Sequence, residues 1–313
     1  MIIIIKSEDK MEIRQLEYLV AAVESRSLNK AAERLYTSQP NVSKVLKNLE
    51  VELDQNILIR NSKGVQPTDF GEEIYLYAKN ILKTVNIVED LATHRAYSQL
   101  KITAYSSNMI ARMLANYYNA YEEKGVHIDY KTGKSEDIID DVWKMRSNIG
   151  ILFYPEHQEH VFKQMLSRKK IVFHTMKKCQ LCLYAGPKHP LYEEKIVDFE
   201  ALQGLKFIQG EKDYFSLMEH VDIISQNQIK VNEMRHMVHT NSEHVMMNML
   251  SHTDLCSLGL DFLKVDYQKN HIRRIKINCC HNCLNVGYIL RLGYHLMKIE
   301  KDFLIRLKEL YRT

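Results

Sequence analysis

Several polar side chains crowd one short stretch, residues 38–53: Gln39, Asn41, Ser43, Lys44, Lys47 and Asn48. Amides pair bidentately with adenine edges, and lysine reaches guanine or phosphate. Serine hydroxyls such as those of Ser38 and Ser43 suit phosphate oxygens. No acidic side chain interrupts the stretch before Glu50, so its first half can approach a polyanion. The plain alternative is the solvated face of a small helical bundle.

A second group of polar residues recurs at the ends of extended runs: Tyr105-Ser106-Ser107, Thr132-Gly133-Lys134-Ser135, Gln209-Gly210 and Asn241-Ser242. In open α/β sheets ligands sit beyond the carboxyl ends of strands. Hydroxyls and free amides at helix N-termini suit a carboxylate or another anion. Each serine alone reads as an ordinary N-cap. Together, Ser106, Ser107, Thr132, Gly133, Ser135, Gln209, Asn241 and Ser242 form a candidate small-molecule site, with Ser106, Gly133, Ser135 and Ser242 foremost.

Two C-x-x-C pairs, Cys179/Cys182 and Cys280/Cys283, with Cys279 and His281 adjacent, have a zinc-like spacing. Cys179 and Cys182 fall around an expected strand, where residues three apart face opposite sides, which argues against shared ligation. His236, His239 and His244 match no catalytic spacing. No metal and no cofactor is expected. No phosphate-loop, dinucleotide, zinc-protease or nucleophile-elbow motif occurs, so no nucleophile and base can be named and an enzyme is not expected.

The elements that position the first group follow from apolar periodicity. Leu16, Leu19, Val20 and Val23 mark a helix; Ser27 caps a second that carries Leu28, Ala31, Ala32 and Leu35. Ser38 caps a third, with Pro40 tolerated in its first turn and Val42, Val45, Leu46, Leu49 and Leu53 on its inner face. Ile57–Arg60 and Val65–Thr68 flank Asn61-Ser62-Lys63-Gly64 and read as a hairpin, a wing that sets Arg60 and Lys63 over phosphates. Thr68 caps a long helix. On it Phe70, Ile74, Tyr77, Ile81, Thr84, Val88 and Leu91 alternate four and three apart, a seam over about three heptads that needs a partner.

From residue 98 the pattern alternates strand and helix, which argues for an α/β layer with a mainly parallel sheet. Expected strands lie at 101–104, 126–130 and 149–154. A second set lies near 171–173, 180–185, 207–208 and 255–258. Helices are expected at Tyr214–His220, at Ser242–Leu250 and over 294–311.

Residues 11–95 resemble the LysR-type transcriptional regulators. The resemblance is carried by Leu16-Glu17-Tyr18-Leu19, Ser27-Leu28, Ala31-Ala32-Glu33-Arg34-Leu35, Ser38-Gln39-Pro40, Val42-Ser43, Leu49-Glu50, Leu58, Arg60, Thr68 and Gly71. Asp54 stands where the family usually has glycine, and Asn41 where a small residue is common. The later half resembles the family's effector domain, which looks like a periplasmic binding protein. His189-Pro190-Leu191 and the Gly133-x-Ser135 element match it; Asn148 replaces the usual aspartate.

The resemblance implies a winged helix-turn-helix plus a long linker helix, followed by an α/β periplasmic-binding-protein-like effector domain with two subdomains. The boundaries expected are an N-terminal extension (1–10), a DNA-binding domain (11–68), a linker and dimerisation helix (69–97) and an effector domain (98–313). Its subdomains are about 98–172 with 276–313, and 180–270, joined by crossing strands near 179–185 and 272–290. The DNA-binding residues expected are Ser38, Gln39, Pro40, Asn41, Ser43, Lys44, Lys47, Arg60 and Lys63. The implied partners are double-stranded DNA, a small-molecule effector and further copies of the chain as a homodimer or homotetramer, with RNA polymerase a candidate. Two alternatives stay open: a thiol-based redox-sensing regulator on the same scaffold, and a solute-binding α/β protein that does not bind DNA.

The chain's 313 residues suggest two or more domains, and 45% hydrophobic with 26% charged residues is an ordinary globular composition. A net charge of +4 is mild, and residues 11–95 hold 11 Lys and Arg against 12 Asp and Glu. The nucleic-acid argument therefore rests on where charge sits. No apolar run of 18 or more occurs, so no membrane span is expected, and a cytoplasmic location with reduced cysteines is.

Overall fold

The computed structural model describes residues 11–61, 64–93, 98–121, 125–211, 213, 215, 237–261, 270–278 and 284–312. The extension 1–10, Lys63, the helix expected at Tyr214–His220 (apart from Phe215), His236, Cys279, Cys280, His281 and Cys283 lie outside them. The chain divides into two compact units, Met1–Ala96 and Tyr97–Thr313.

In the first unit, helices α1 (Ile13–Ser25), α2 (Leu28–Arg34) and α3 (Gln39–Glu52) precede strands β1 (Leu58–Asn61) and β2 (Gly64–Pro67) and helix α4 (Asp69–Thr93). Leu19, Ala22, Ala31, Val42, Leu46, Leu49 and Ile57 are fully buried, so the apolar face of each short helix meets the others. Ser27 caps α2 by accepting from Lys30 N at 3.4 Å. β1 and β2 pair antiparallel, Asn61 opposite Gly64. The wing is tied down where Val65 N donates to Arg26 O at 3.1 Å. Gly64, at φ +118, lies so close that a Cβ there would stand 2.4 Å from the same carbonyl oxygen. Asp54 adopts φ 49, a left-handed conformation after α3 for which glycine is the usual residue and which aspartate tolerates.

The seam expected on α4 is corrected in its first turns. Phe70 and Ile74 pack on their own unit's core together with Ala78 and Leu82. Tyr77 (43% exposed), Ile81 (39%) and Val88 (61%) face outward, as does Thr84.

The second unit holds two sheets. The five-stranded sheet has the order β4-β3-β5-β13-β6, where β3 is Ser98–Ala104, β4 Val126–Thr132, β5 Ile149–Pro155, β6 Ile171–Cys179 and β13 Leu284–Arg291. The six-stranded sheet has the order β10-β9-β11-β7-β12-β8, where β7 is Leu181–Ala185, β8 Ile196–Val197, β9 Lys206–Gln209, β10 Met237–His239, β11 Leu255–Leu260 and β12 Arg273–Ile277. Parallel pairs β3/β4, β3/β5, β9/β10 and β9/β11 send their carboxyl ends toward loops and helices, while β13 runs antiparallel to β5 and β6. Helices α5 (Asn108–Tyr121), α6 (Ser135–Trp143), α7 (Glu159–Arg168), α8 (Glu243–His252) and α9 (Lys298–Arg312) cover the sheets.

β6 departs from the expectation. Residues 171–173 read as part of the second set, with the first subdomain ending near 172. The strand instead continues to Cys179 and pairs along its length with β13 in the five-stranded sheet. It is an edge strand, half exposed through His174–Lys178, so its polar middle hides its extent. The chain changes sheet between Cys179 and Leu181 and returns between Ile277 and Leu284, so β12, part of which was expected in the first subdomain, belongs to the six-stranded sheet. The closing helix starts at Lys298 rather than 294, because the Glu300 carboxylate accepts from Met297 N (2.8 Å) and the Tyr294 hydroxyl (2.7 Å) and holds that approach as a turn.

The far end of α6 carries a network of charges. Asp141, almost wholly buried, accepts from Arg146 Nε (2.6 Å), Lys131 Nζ (2.9 Å) and Thr103 Oγ1 (3.0 Å). Burial pushes its carboxyl up, but these donors outweigh burial and hold it below the ordinary value. Asp140 is likewise raised by burial and lowered further by Lys144, Arg146 and Lys169, to about 2. Depressed carboxyl pKa values stabilise the fold above the unfolded value of 3.8, and that contribution is lost as pH falls from about 4 toward about 2. We expect the urea midpoint of the second unit, followed by the emission of Trp143, to drop across that window. Asp140→Asn should flatten the drop; parallel curves for variant and wild type would contradict the assignment.

Candidate functional site

In the first unit, α3 carries the expected recognition residues. Ser38, Pro40, Lys44, Lys47 and Asn48 are exposed, and Gln39 is half-buried. The acids that end α3 are hydrogen-bonded within the unit. Glu50 Oε1 accepts from Ile57 N and Leu58 N, both at 3.1 Å, and Glu52 Oε1 accepts from Gln15 Nε2 at 2.7 Å. Glu50 thus fixes the start of the wing against the helix, a role that only tertiary structure reveals.

Asn41, Ser43 and Arg60 are placed differently from expectation. Asn41 Nδ2 donates to Thr37 Oγ1 (2.8 Å) and to the Tyr18 hydroxyl (3.2 Å), so both amide hydrogens are used within the unit. Arg60 Nη1 donates to Ser43 Oγ at 2.9 Å, and its Nη2 lies 3.7 Å from Glu50 Oε2. Two residues expected on phosphates therefore face each other and brace the wing on α3. One exposed aromatic side chain has no signal in the local pattern: Tyr36, in the turn before α3, is 98% exposed and sits at φ 51.

In the second unit, the carboxyl ends of β3 and β4 face those of β9 and β10 across a cavity of about 420 Å³. Seven of the eight expected residues, Ser106, Thr132, Gly133, Ser135, Gln209, Asn241 and Ser242, line it. Ser107 does not. It is buried and caps α5, accepting from Ile110 N at 3.4 Å. Ser242 lines the cavity, yet its hydroxyl also caps α8 by accepting from Val245 N at 3.3 Å. Tyr105 and Phe153, edge to face at 5.3 Å, give the cavity an aromatic wall. Burial pushes the Tyr105 phenol up, so it stays protonated and shares a hydrogen bond of 2.6 Å with Tyr311 on α9.

The charges of this cavity were not legible in the sequence. Asp137, Glu211, Asp213 and Glu243 line it, against Lys134, which pairs with Glu211 at 3.1 Å. Asp213 Oδ2 accepts from Ser135 N at 2.6 Å, directly at the N-terminus of α6. Glu243 accepts from Ser106 Oγ (3.2 Å) and Asn108 Nδ2 (3.3 Å). The places expected to suit an anion are thus held by carboxylates of the chain. Gln209 is 7% exposed, and its Nε2 has no partner among the described residues.

Cys179, Cys182 and Cys256 are buried and lie on three different strands. Burial pushes the Cys256 thiol well up, so it is a poor thiolate. Among the described residues no group of His, Cys, Asp and Glu could hold a metal ion, and no helix is long and apolar enough to cross a membrane. His189 is buried; desolvation lowers its pKa, and neutral Nδ1 accepts from Leu191 N at 3.1 Å in the turn after β7.

Comparison with known proteins agrees with this arrangement. Residues 13–72 match the family described as bacterial regulatory helix-turn-helix protein, lysR family, and residues 98–309 match the LysR substrate binding domain. Over 305 residues the chain is 24% identical to the HTH-type transcriptional regulator CysL of Bacillus subtilis, covering 95% of this chain and 97% of that protein. Over 73 residues it is 44% identical to the nitrogen assimilation regulatory protein nac of Klebsiella aerogenes, covering 23% of this chain and 24% of that one. A full-length OxyR variant from Pseudomonas aeruginosa shares the fold, with a TM-score of 0.62 at 17% identity over 97% of this chain and 95% of that chain. With family matches over both units, the chain belongs to the LysR family and is a DNA-binding transcriptional regulator with an effector-binding domain.

Proposed function

We propose that this regulator binds its operator as a dimer or higher homo-oligomer, with α3 of each copy in a major groove. Residues 11–68 are the DNA-binding domain, 69–97 the linker and dimerisation helix, and 98–313 the effector domain. Gln39 and Lys44 read base edges, and Ser38 and Lys47 contact phosphates. Asn41, Ser43 and Arg60 hold the recognition helix and wing in place. The observation that carries this reading is the exposed face of α3, free of acidic side chains until Glu50, whose carboxylate is engaged by the wing. The outward row Tyr77, Ile81, Thr84 and Val88 supplies the contact between copies. A dimer suits half-sites spaced by helical turns.

A small molecule in the 420 Å³ cavity shifts the balance between two arrangements of the effector domain, by as much as its affinity for the two differs. RNA polymerase is the partner through which a promoter-bound regulator would act, and the cytoplasm is where it would meet both.

Fluorescence anisotropy with the DNA upstream of its own gene, across a salt series and against scrambled DNA, tests the docking. Gln39→Ala is expected to weaken binding about ten- to hundredfold, the worth of one bidentate base contact. Lys44→Ala is expected to weaken it too. Unchanged affinity in both variants would contradict the placement of α3.

A further inference from the structure

We propose that Tyr36 is a further DNA-contacting residue: from the turn between α2 and α3 its ring lies against the sugar-phosphate backbone at the edge of the groove that α3 enters, and its hydroxyl donates to a phosphate oxygen. This rests on the docking of α3 proposed above. The fold gives the ring nothing to pack on. Tyr36 is 98% exposed and stands outside the apolar cluster that joins α1, α2, α3, the wing and α4. It is also costly where it stands. Its φ of 51 lies in the left-handed region, which glycine and asparagine enter readily and a bulky side chain does not. A tyrosine that packs on nothing and strains its own backbone points to a contact outside the fold.

Its position in the chain selects the partner. In a helix-turn-helix the first helix crosses the DNA backbone and the second enters the major groove, so the turn that joins them passes over the phosphates. Ser38, two residues on, is exposed and its hydroxyl makes no capping bond to α3, in keeping with the phosphate contact proposed for it. The turn is held on both sides. Tyr36 N donates to Glu33 O at 3.2 Å, and Thr37 N donates to Ala32 O at 3.0 Å, which ties it to α2. Thr37 Oγ1 accepts from Asn41 Nδ2 at 2.8 Å, which ties it to α3. The same amide donates to the Tyr18 hydroxyl at 3.2 Å, and that hydroxyl accepts from Arg14 Nη2 at 2.9 Å, which brings in α1. A side chain carried on so fixed a backbone loses little freedom on binding, so ordering of the turn does not offset its contact. Tyrosine is among the side chains that bond phosphate oxygens without reading sequence.

The test compares full-length wild type, Tyr36→Phe and Tyr36→Asn by fluorescence anisotropy, with Gln39→Ala alongside. Each is titrated on the DNA upstream of the protein's own gene and on scrambled DNA, across a salt series that reaches low salt. Tyr36→Phe removes the hydroxyl alone and should weaken binding about tenfold on both DNAs, the worth of one hydrogen bond to a charged group. Tyr36→Asn removes the ring as well and should also weaken binding on both. Its thermal midpoint should equal that of wild type or exceed it, because asparagine suits the left-handed backbone. Neither variant removes a cation, so the log–log salt slope should keep its wild-type value. Unchanged affinity in Tyr36→Phe overturns the proposal, and so does a loss confined to the upstream DNA, which would make the contact a base contact. A lower midpoint in Tyr36→Asn overturns it too, since the ring would then serve the fold. Weaker binding by Gln39→Ala beside unchanged Tyr36 variants removes this contact and leaves the docking of α3 in place; unchanged binding by all three removes both.

Discussion

Asn148→Asp is expected to destabilise the second unit by about 3 kcal/mol, the cost of an uncompensated buried charge. Asn148 is 6% exposed, and its Nδ2 donates to Glu300 Oε1 at 2.6 Å. Glu300 is wholly buried, and its remaining acceptor capacity is used by the Tyr294 hydroxyl and Met297 N. Aspartate would replace the donor with a second carboxylate at hydrogen-bond distance. One of the two must then take up a proton or the pair must separate, and separation unmakes the turn that leads into α9. The amide at position 148 is therefore matched to Glu300. Urea unfolding at pH 7 measures the effect, and an unchanged midpoint would contradict the account.

Gly71→Ala should cost the first unit about 3 kcal/mol, the upper end for forced overpacking. A Cβ at Gly71 would stand 1.9 Å from the carbonyl oxygen of Ile57. That oxygen cannot retreat cheaply, since it accepts from Thr68 N at 3.1 Å and belongs to a residue whose own N–H is held by Glu50. Thr68 Oγ1 in turn accepts from Gly71 N (2.9 Å) and donates to Asn56 O (2.8 Å). The wing, the cap of α4 and the end of α3 meet at this point, so DNA binding should fall with stability while the cavity keeps its ligand response. Thermal unfolding by circular dichroism checks the first, and an unchanged transition would show that α4 does not press on Ile57.

Much of the fold is visible in local sequence. Val42, Leu46 and Leu49 recur at helical spacing and are all buried, and Ser27 stands in the sequence and in space as a cap. β6 is obscured because an edge strand needs no apolar alternation through His174–Lys178. α7 has no counterpart in the sequence reading, since only Phe162 and Leu166 on it are buried. The cavity-lining residues could be gathered from strand ends, because the open-sheet rule fixes where a cleft must lie. Their electrostatics could not. Asp213 reaches Ser135 across 78 positions, and Glu243 reads as an ordinary first-turn acid until its bonds to Ser106 and Asn108 are seen. Likewise Arg60 and Ser43, 17 positions apart, each read as a phosphate contact until packing joins them.

The most direct test of the central claim is selection of sheared genomic DNA by the purified full-length protein, followed by sequencing of what is retained. A sequence-specific regulator with α3 as its reading helix should enrich a small set of fragments that share an inverted-repeat motif, and Gln39→Ala should lose that enrichment while keeping salt-sensitive, non-selective binding. Fragments retained in proportion to their abundance, with wild type and variant alike, would contradict it.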